Sequence, residues 1–197
     1  MARPVSVRNS CIAEDGYLAL ILGIDPGSRT TGFGIINMVG QTATYVTSGC
    51  IRCGEGEIPE RLTRIFDGID ELIETWVPQQ FAIERAFMGK NADSALKLGQ
   101  ARGVALVVAA RHGLPIYEYA PRAIKQAVSG SGNADKEQIQ HMMKVLLKLP
   151  GLPQVDAADA LAVAVCHGYS QLNRVVMAGY SRPERKRLSQ VPPTKKI

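Results

Sequence analysis

Four acidic residues, each at the edge of an apolar segment, are the residues best suited to chemistry in this sequence. Asp25 and Glu84 each end a short apolar run, and Asp156 and Asp159 lie at the start of the run Ala157–Val165. The carboxyl ends of parallel strands face a common crevice, so such carboxylates can converge. They repel one another unless cations are present, and hard divalent cations prefer oxygen ligands. The pattern predicts metal-dependent phosphoryl-transfer chemistry.

The spacing of these carboxylates suits a site for two cations. Asp156 and Asp159 are three residues apart, so on a helix they share one face near its positive end. Two divalent cations about 3.5–4 Å apart can clamp a phosphodiester, activating a water and stabilising the leaving oxygen. Taken singly, Asp156 reads equally well as an N-cap and Asp159 as a first-turn charge. A lone Asp25 or Glu84 is more often a residue of a strand-end turn. The four together favour the metal site.

The histidines and the paired cysteines fit catalysis less well. His112 is at a predicted helix end, His141 is within a helix and His167 is late in the last helix, so we expect structural roles. Cys50 and Cys53 have the spacing of a zinc or redox pair. They lie in a strand-like run without a second ligand pair, so ordinary strand residues are the favoured interpretation.

Hydrophobic periodicity and turn residues predict five strands and five helices. The predicted strands are Leu18–Asp25, Thr31–Val39, Thr42–Arg52, Gln80–Glu84 and Pro115–Tyr119. The predicted helices are Pro59–Val77, Ala92–His112, Arg122–Val128, Asp135–Leu149 and Gln154–Ser170. Hairpins join the first three strands and helical crossovers bring in the last two. This order predicts an α/β fold with a five-stranded mixed sheet, three antiparallel then two parallel strands, flanked by helices.

Composition and charge predict one domain with appendages. The 197 residues are 46% hydrophobic. We predict a flexible N-terminal extension at residues 1–17, a folded domain at 18–172 and a basic, disordered tail at 173–197. From Gln171 onward the chain has seven Lys or Arg and one acidic residue, whereas residues 1–170 have a net charge of −1. No run approaches the roughly 20 apolar residues of a membrane span, so we expect a soluble, cytoplasmic protein that contacts no membrane.

Four segments together resemble the RuvC family of bacterial Holliday-junction resolvases. They are Gly23–Gly34 (GIDPGSRTTGFG), Ala82–Glu84 (AIE), Phe87–Gly103 (FMGKNADSALKLGQARG) and Asp156–Ala162 (DAADALA). The resemblance covers about residues 20–167. The stretch from Phe87 to Arg102 is its longest and most specific part.

The resemblance implies a ribonuclease-H-like fold and a homodimer that nicks two opposed strands of a four-way DNA junction. Asp25, Glu84, Asp156 and Asp159 stand at the family's catalytic, metal-binding positions. The implied cofactor is Mg²⁺, two ions per site, with Mn²⁺ as a substitute. The implied products carry 5′-phosphate and 3′-hydroxyl ends. The implied partners are the RuvA and RuvB branch-migration proteins.

The resemblance also identifies candidate DNA contacts. Phe87 stands where the family has an aromatic residue that acts at the junction, and stacking on an unpaired base is worth roughly 1–3 kcal/mol. A core phenylalanine is the alternative. Lys125 and Lys136 match basic family positions. Lys90 and Arg85 are candidates for phosphate contacts, with solvated charge as the alternative. Arg85 replaces an uncharged residue that the family often has, which would add positive charge beside the metals.

The dimer interface is predicted on the helix Ala92–His112. Ala95, Gly99 and Gly103 recur every four residues and leave a flat stripe for close helix approach. An isologous dimer would present two equivalent sites to a junction of approximate two-fold symmetry. From the residues alone, packing of the stripe against the chain's own sheet is slightly favoured, and the resemblance implies a helix that has both roles.

Two other functions are compatible with parts of the sequence. An actin-like ATPase also has a Gly-Ile-Asp-x-Gly loop before a hairpin, but that architecture needs a second domain and loop, and no second copy is found. A junction-binding protein without catalysis is the other alternative, and the presence of all four carboxylates argues against it.

Overall fold

The structure is a computed structural model that describes residues 12–13, 16–85 and 91–179. Its strands are β1 (Ile12–Ala13), β2 (Gly16–Asp25), β3 (Thr30–Val39), β4 (Thr42–Arg52), β5 (Gln80–Glu84) and β6 (Ile116–Tyr119). Its helices are α1 (Ile58–Trp76), α2 (Ala92–Arg111), α3 (Pro121–Ser129), α4 (Lys136–Leu146) and α5 (Val155–Gly179). No helix in these ranges is long and apolar enough to cross a membrane.

The sheet confirms the predicted mixed arrangement. Its order is β4-β3-β2-β5-β6, and the short β1 adds to the start of β2. The first three of the predicted strands pair antiparallel, whereas β5 and β6 join in parallel. Gly23 pairs with Ala82 and Ile24 with Ile83. This register brings the ends of β2 and β5 side by side.

Alternating side chains divide the core into two layers. On one face of the sheet, residues such as Ile21 and Ala82 pack with α3, α4 and α5. On the other face, Leu22 and Phe81 pack with α1 and α2. Strands that are apolar on both faces are typical of a sheet covered by helices on both sides.

The two ends of the folded domain differ from the prediction. β2 begins at Gly16 rather than Leu18 and pairs antiparallel with β1, so part of the predicted extension 1–17 is strand. α5 continues to Gly179, so the predicted end at Ser170 is wrong and residues 173–179 are helical rather than disordered. The segment Asn173–Ala178 contains no Pro or Gly to end the helix. α4 ends three residues before the predicted Leu149, near Lys148, which has a left-handed φ of 53°.

Candidate active site

Three of the four predicted carboxylates line one cavity. Asp25 ends β2, Glu84 ends β5, and both face the helix α5, which supplies Asp159. The cavity has a volume of about 310 Å³. Its remaining lining combines two lysines with apolar residues: Lys125, Lys136, Pro121, Ile124, Ile139 and Ala162. The cavity therefore places three acidic side chains and two lysine side chains beside an apolar wall.

Glycines in the sheet let α5 approach close enough to complete this site. A Cβ added to Gly32, which pairs with Asp25, would overlap the main-chain oxygen of Asp156. A Cβ added to Gly23 would overlap the main-chain oxygen of Ala160 in the same way. Any larger residue would push the first turns of α5 away from the sheet. The glycines of the first resembling segment therefore place the acidic start of α5 over the end of β2.

A capped helix start positions one of the two lysines. The Asp135 side chain accepts a hydrogen bond from the Gln138 main-chain nitrogen at 2.8 Å. In turn, the Gln138 side-chain oxygen accepts a hydrogen bond from the Asp135 main-chain nitrogen at 3.1 Å. This capping box satisfies two donors at the start of α4. Lys136 is the first residue of α4 and lies at the cavity.

The pKa of Asp25 is raised from 3.8 to about 8. Burial is the largest cause, followed by the charges of Glu84, Asp159 and Asp156, while Lys136 acts in the opposite direction. Burial disfavours the charged form, and like charges add to that effect. A cation bound beside Asp25 would favour its ionised form and so lower this pKa.

The pKa values of the two other carboxyls in the cavity, Glu84 and Asp159, are also raised. Burial and then Asp159 raise the pKa of Glu84 to about 7, while Lys125 and Lys136 lower it. Burial also raises the pKa of Asp159, which Lys136 lowers and Asp156 raises. The lysines thus offset only part of the repulsion among the carboxylates. Such a site favours additional positive charge.

Hard oxygen donors around a polar cavity fit a divalent cation. Within the described part of the chain, no three acidic, histidine or cysteine residues form a ready ligand set for a single ion. Mg²⁺ is usually held by one or two carboxylates and fills its other positions with water and substrate phosphate oxygens. Asp25, Glu84 and Asp159 fit that requirement. Asp156 does not line the cavity, but its charge acts on both Asp25 and Asp159.

Comparison with known proteins identifies the family. The family model described as crossover junction endodeoxyribonuclease RuvC matches residues 21–167. The chain belongs to the RuvC family. A relative from Shewanella piezotolerans with the same description is 58% identical over 162 residues, covering 82% of this chain and 94% of the relative. A relative from Vibrio vulnificus is 54% identical over 169 residues, covering 86% and 98%.

A solved RuvC structure has the same fold. The structure of T. thermophilus RuvC in complex with Holliday junction substrate has a TM-score of 0.74 and is 31% identical in sequence. The similarity covers 79% of this chain and 96% of that chain. The mixed sheet with flanking helices is therefore the ribonuclease-H-like fold that the resemblance implied.

The predicted DNA contacts are distributed unevenly around the site of this RuvC-family protein. Lys125 and Lys136 lie in the carboxylate cavity. Phe87 and Lys90 lie outside the described residues. Arg85 lies on the opposite face of the sheet from Glu84, and its Nε is 3.9 Å from a Glu118 oxygen. Arg85 does not line the carboxylate cavity, and its added charge beside the metals stays a prediction.

The histidines and the cysteine pair lie outside the carboxylate cavity. His112 Nε2 is 2.7 Å from Asp70 Oδ1 at the end of α2. His167 is fully buried and contacts Tyr119 and Gln80 at 2.7 Å each. His141 lies on the exposed side of α4.

Cys50 and Cys53 do not face one another. Cys53 packs into the core beneath α1, whereas Cys50 pairs with Gly32 on the strand beside the start of α5. Burial and the charge of Asp156 raise the pKa of the Cys50 thiol. This separation does not suit a shared zinc ion or a disulfide, and it favours ordinary strand roles for both.

Sequence reasoning missed Arg102, which contacts the end of β5 from α2. Its Nε is 3.4 Å from the Glu84 main-chain oxygen, and its Nη2 is 2.5 Å from Glu118 Oε2. Arg102 ends the most specific resembling segment, but nothing in its spacing indicates that it reaches Glu84. Only the packing of α2 beside β5 shows the contact.

Proposed function

We propose that this protein resolves four-way DNA junctions by paired, symmetric nicks through two-metal-ion phosphodiester hydrolysis. The observation that carries the proposal is the convergence of Asp25, Glu84 and Asp159 with two lysines in one cavity of a RuvC-family fold. The relatives are described as crossover junction endodeoxyribonucleases, and a solved relative is in complex with Holliday junction substrate. The family's RuvA and RuvB proteins are the proposed partners, and the cytoplasm is the proposed location.

The carboxylates of the cavity are the residues that would hold the metal ions for hydrolysis. Bound Mg²⁺ ions would supply Lewis-acid activation of the attacking water and of the leaving oxygen. Asp25, Glu84, Asp159 and, behind them, Asp156 would hold those ions. Strand ends and a close-packed helix keep these carboxylates in place. Such preorganisation is worth more than flexible contacts, because little reorganisation accompanies the reaction.

The cavity's other residues bind and orient the substrate. Lys125 and Lys136 stand beside the carboxylates, where they can contact phosphate oxygens next to the scissile bond. Ile124 and Ile139 form part of the apolar wall and exclude water from one side of the reacting phosphate. Phe87 and Lys90 follow Glu84 closely in the chain and are proposed to contact the centre of the junction.

A synthetic, immobile four-way junction tests the proposal. The substrate carries several candidate sequences and is incubated with protein in Mg²⁺ and in EDTA, beside a linear duplex of the same sequence. We expect paired nicks on the junction alone, only with metal, and lost in Asp25→Asn. Asp67→Asn, an exposed aspartate on α1, is the matched control and retains nicking. Tight junction binding without nicking in Mg²⁺ or Mn²⁺ would favour the non-catalytic alternative.

We also propose that α2 forms the homodimer contact. An apolar stripe of Leu96, Gly99, Gly103 and Val107 follows one side of this helix, with Leu96 68% and Val107 55% exposed. A Cβ added to either glycine would meet no atom of the described chain within 4 Å. A different side of α2, including Ala101 and Ala105, is buried in the core. The glycine stripe therefore does not pack against the chain's own sheet.

Sedimentation of a charged variant tests the dimer. Val107→Glu places a charge on the apolar stripe, so we expect it to dissociate the dimer. Val145→Glu is the matched control, because Val145 is equally exposed, at 55%, but lies on α4. A monomeric wild-type protein at micromolar concentration, or equal effects of both substitutions, would contradict the α2 interface.

A further inference from the structure

The end of β5, where Glu84 is located, is held from two sides. On one side, the Arg85 main-chain nitrogen donates to the Tyr119 main-chain oxygen of β6 at 2.8 Å. On the other side, Arg102 reaches from α2 and donates to the Glu84 main-chain oxygen at 3.4 Å. The main chain that bears the Glu84 carboxylate is therefore connected to both a strand and a helix.

Glu118 gives Arg102 a second contact at the same place. Arg102 Nη2 lies 2.5 Å from Glu118 Oε2, and Arg85 Nε is 3.9 Å from that same oxygen. The Arg102 side chain is 20% exposed and that of Glu118 is 38% exposed, so the guanidinium is the more buried partner of this ion pair. A guanidinium presents several donors in a rigid plane, which lets one side chain bind a carbonyl and a carboxylate together.

Arg102 approaches Glu84 through the main chain rather than through the carboxylate. Glu118 lies on the α1/α2 side of the sheet, whereas the Glu84 side chain faces α5 and the cavity. The cations that lower the pKa of Glu84 are Lys125 and Lys136, which lie on the cavity side. Arg102 is therefore placed to affect where Glu84 lies, with little effect on its charge.

We propose that Arg102, with Glu118 as its anchor, is a positioning residue that holds the Glu84 carboxylate in the cavity beside Asp25 and Asp159, where the cations would bind. The proposal rests on the metal-dependent function proposed above. Glu84 forms the last pair of β5 with β6, opposite Tyr119, and the Arg85 main-chain nitrogen closes that pair by donating to the Tyr119 main-chain oxygen. Arg102 adds a contact from the helix side, to the main-chain oxygen of the same residue that bears the carboxylate.

Single-turnover nicking and Mn²⁺ binding test this role with the full-length protein. In Arg102→Ala we expect the nicking rate constant on prebound junction to fall about 10- to 100-fold, as for other partners that orient metal ligands. The junction dissociation constant stays within about twofold, since Arg102 does not line the cavity. Mn²⁺ affinity, followed by electron paramagnetic resonance without DNA, falls about tenfold. Arg102→Lys retains the charge without the planar fork and gives intermediate values in both assays.

Arg111→Ala is the matched control. Arg111 is on the same helix, but its guanidinium lies 5.2 Å from the Phe66 ring centroid and joins α2 to α1. We expect this variant to lower the melting temperature while the rate constant and Mn²⁺ affinity remain at wild-type values. Should Arg102→Ala fail to fold, Glu118→Gln and Arg102→Lys take its place in both assays.

Two results would overturn the positioning role. One is a wild-type rate constant and Mn²⁺ affinity in Arg102→Ala, or in both substitute variants if that protein does not fold. The other is an equal loss in Arg111→Ala, which would indicate general destabilisation. A wild-type protein that binds Mn²⁺ but does not nick junctions would contradict the proposed function, and the Mn²⁺ titrations would still decide the role of Arg102.

Discussion

Replacing Asp25 by asparagine should abolish nicking yet stabilise the metal-free protein. In the folded protein the pKa of Asp25 is raised to about 8, from an ordinary value of 3.8. Between these values the folded state binds more protons than the unfolded state, so stability is lost as the pH rises. Asparagine has nearly the same shape and no charge, so it removes this loss.

The size of the effect follows from the shift in pKa. At about 1.36 kcal/mol per pKa unit, Asp25 opposes folding by up to about 5 kcal/mol near pH 7.5 and by about 2 kcal/mol near pH 5. Asp25 is only partly buried, and water in the cavity screens its charge. We therefore expect about half of these values, or roughly 2–3 kcal/mol near neutral pH.

Urea unfolding in EDTA at several pH values measures this difference. We expect the free energy of unfolding of Asp25→Asn to exceed that of the wild type by an amount that grows from about pH 5 to pH 8 and then levels off. Mg²⁺ should stabilise the wild type more than the variant, since it binds the folded site. Asp67→Asn serves as the control. An Asp25→Asn protein that is less stable than the wild type across this pH range would refute the reasoning.

Three further predictions concern the surroundings of the site. Gly32→Ala should lose about 1–3 kcal/mol of stability, because its methyl group meets the start of α5, and should weaken Mn²⁺ binding. Gly151→Ala, which meets no described atom, is its control, and equal urea midpoints would contradict the close approach. Lys136→Met should shift the rise of nicking to higher pH, because Lys136 lowers the pKa of Asp25, Glu84 and Asp159. Lys144→Met on the same helix should leave the pH dependence of nicking unchanged. The same pH dependence in Lys136→Met and Lys144→Met would count against this electrostatic role. Deleting residues 180–197, with six Lys or Arg and one acidic residue, should weaken junction binding and reduce its salt dependence; an unchanged salt slope would reject that role.

The sequence by itself predicted the strands, most helices and the acidic site, because these depend on local periodicity and on residue type. Asp25 and Glu84 end apolar runs, and parallel strand ends meet at one edge of a sheet. The ends of the domain were predicted less well. Residues 173–179 read as polar and disordered, but they contain no proline, and the helix α5 includes them.

Only the tertiary structure decided how these elements meet. The close approach of α5 depends on glycines in two strands and on a helix more than 100 residues later, so no local pattern shows it. The contact of Arg85 with Glu118 joins the residue after β5 to β6, and the contact of Arg102 with Glu84 depends on the packing of α2. Residue type thus determined which chemistry the chain can perform, whereas packing between distant segments determined which groups share the cavity and which support it from outside.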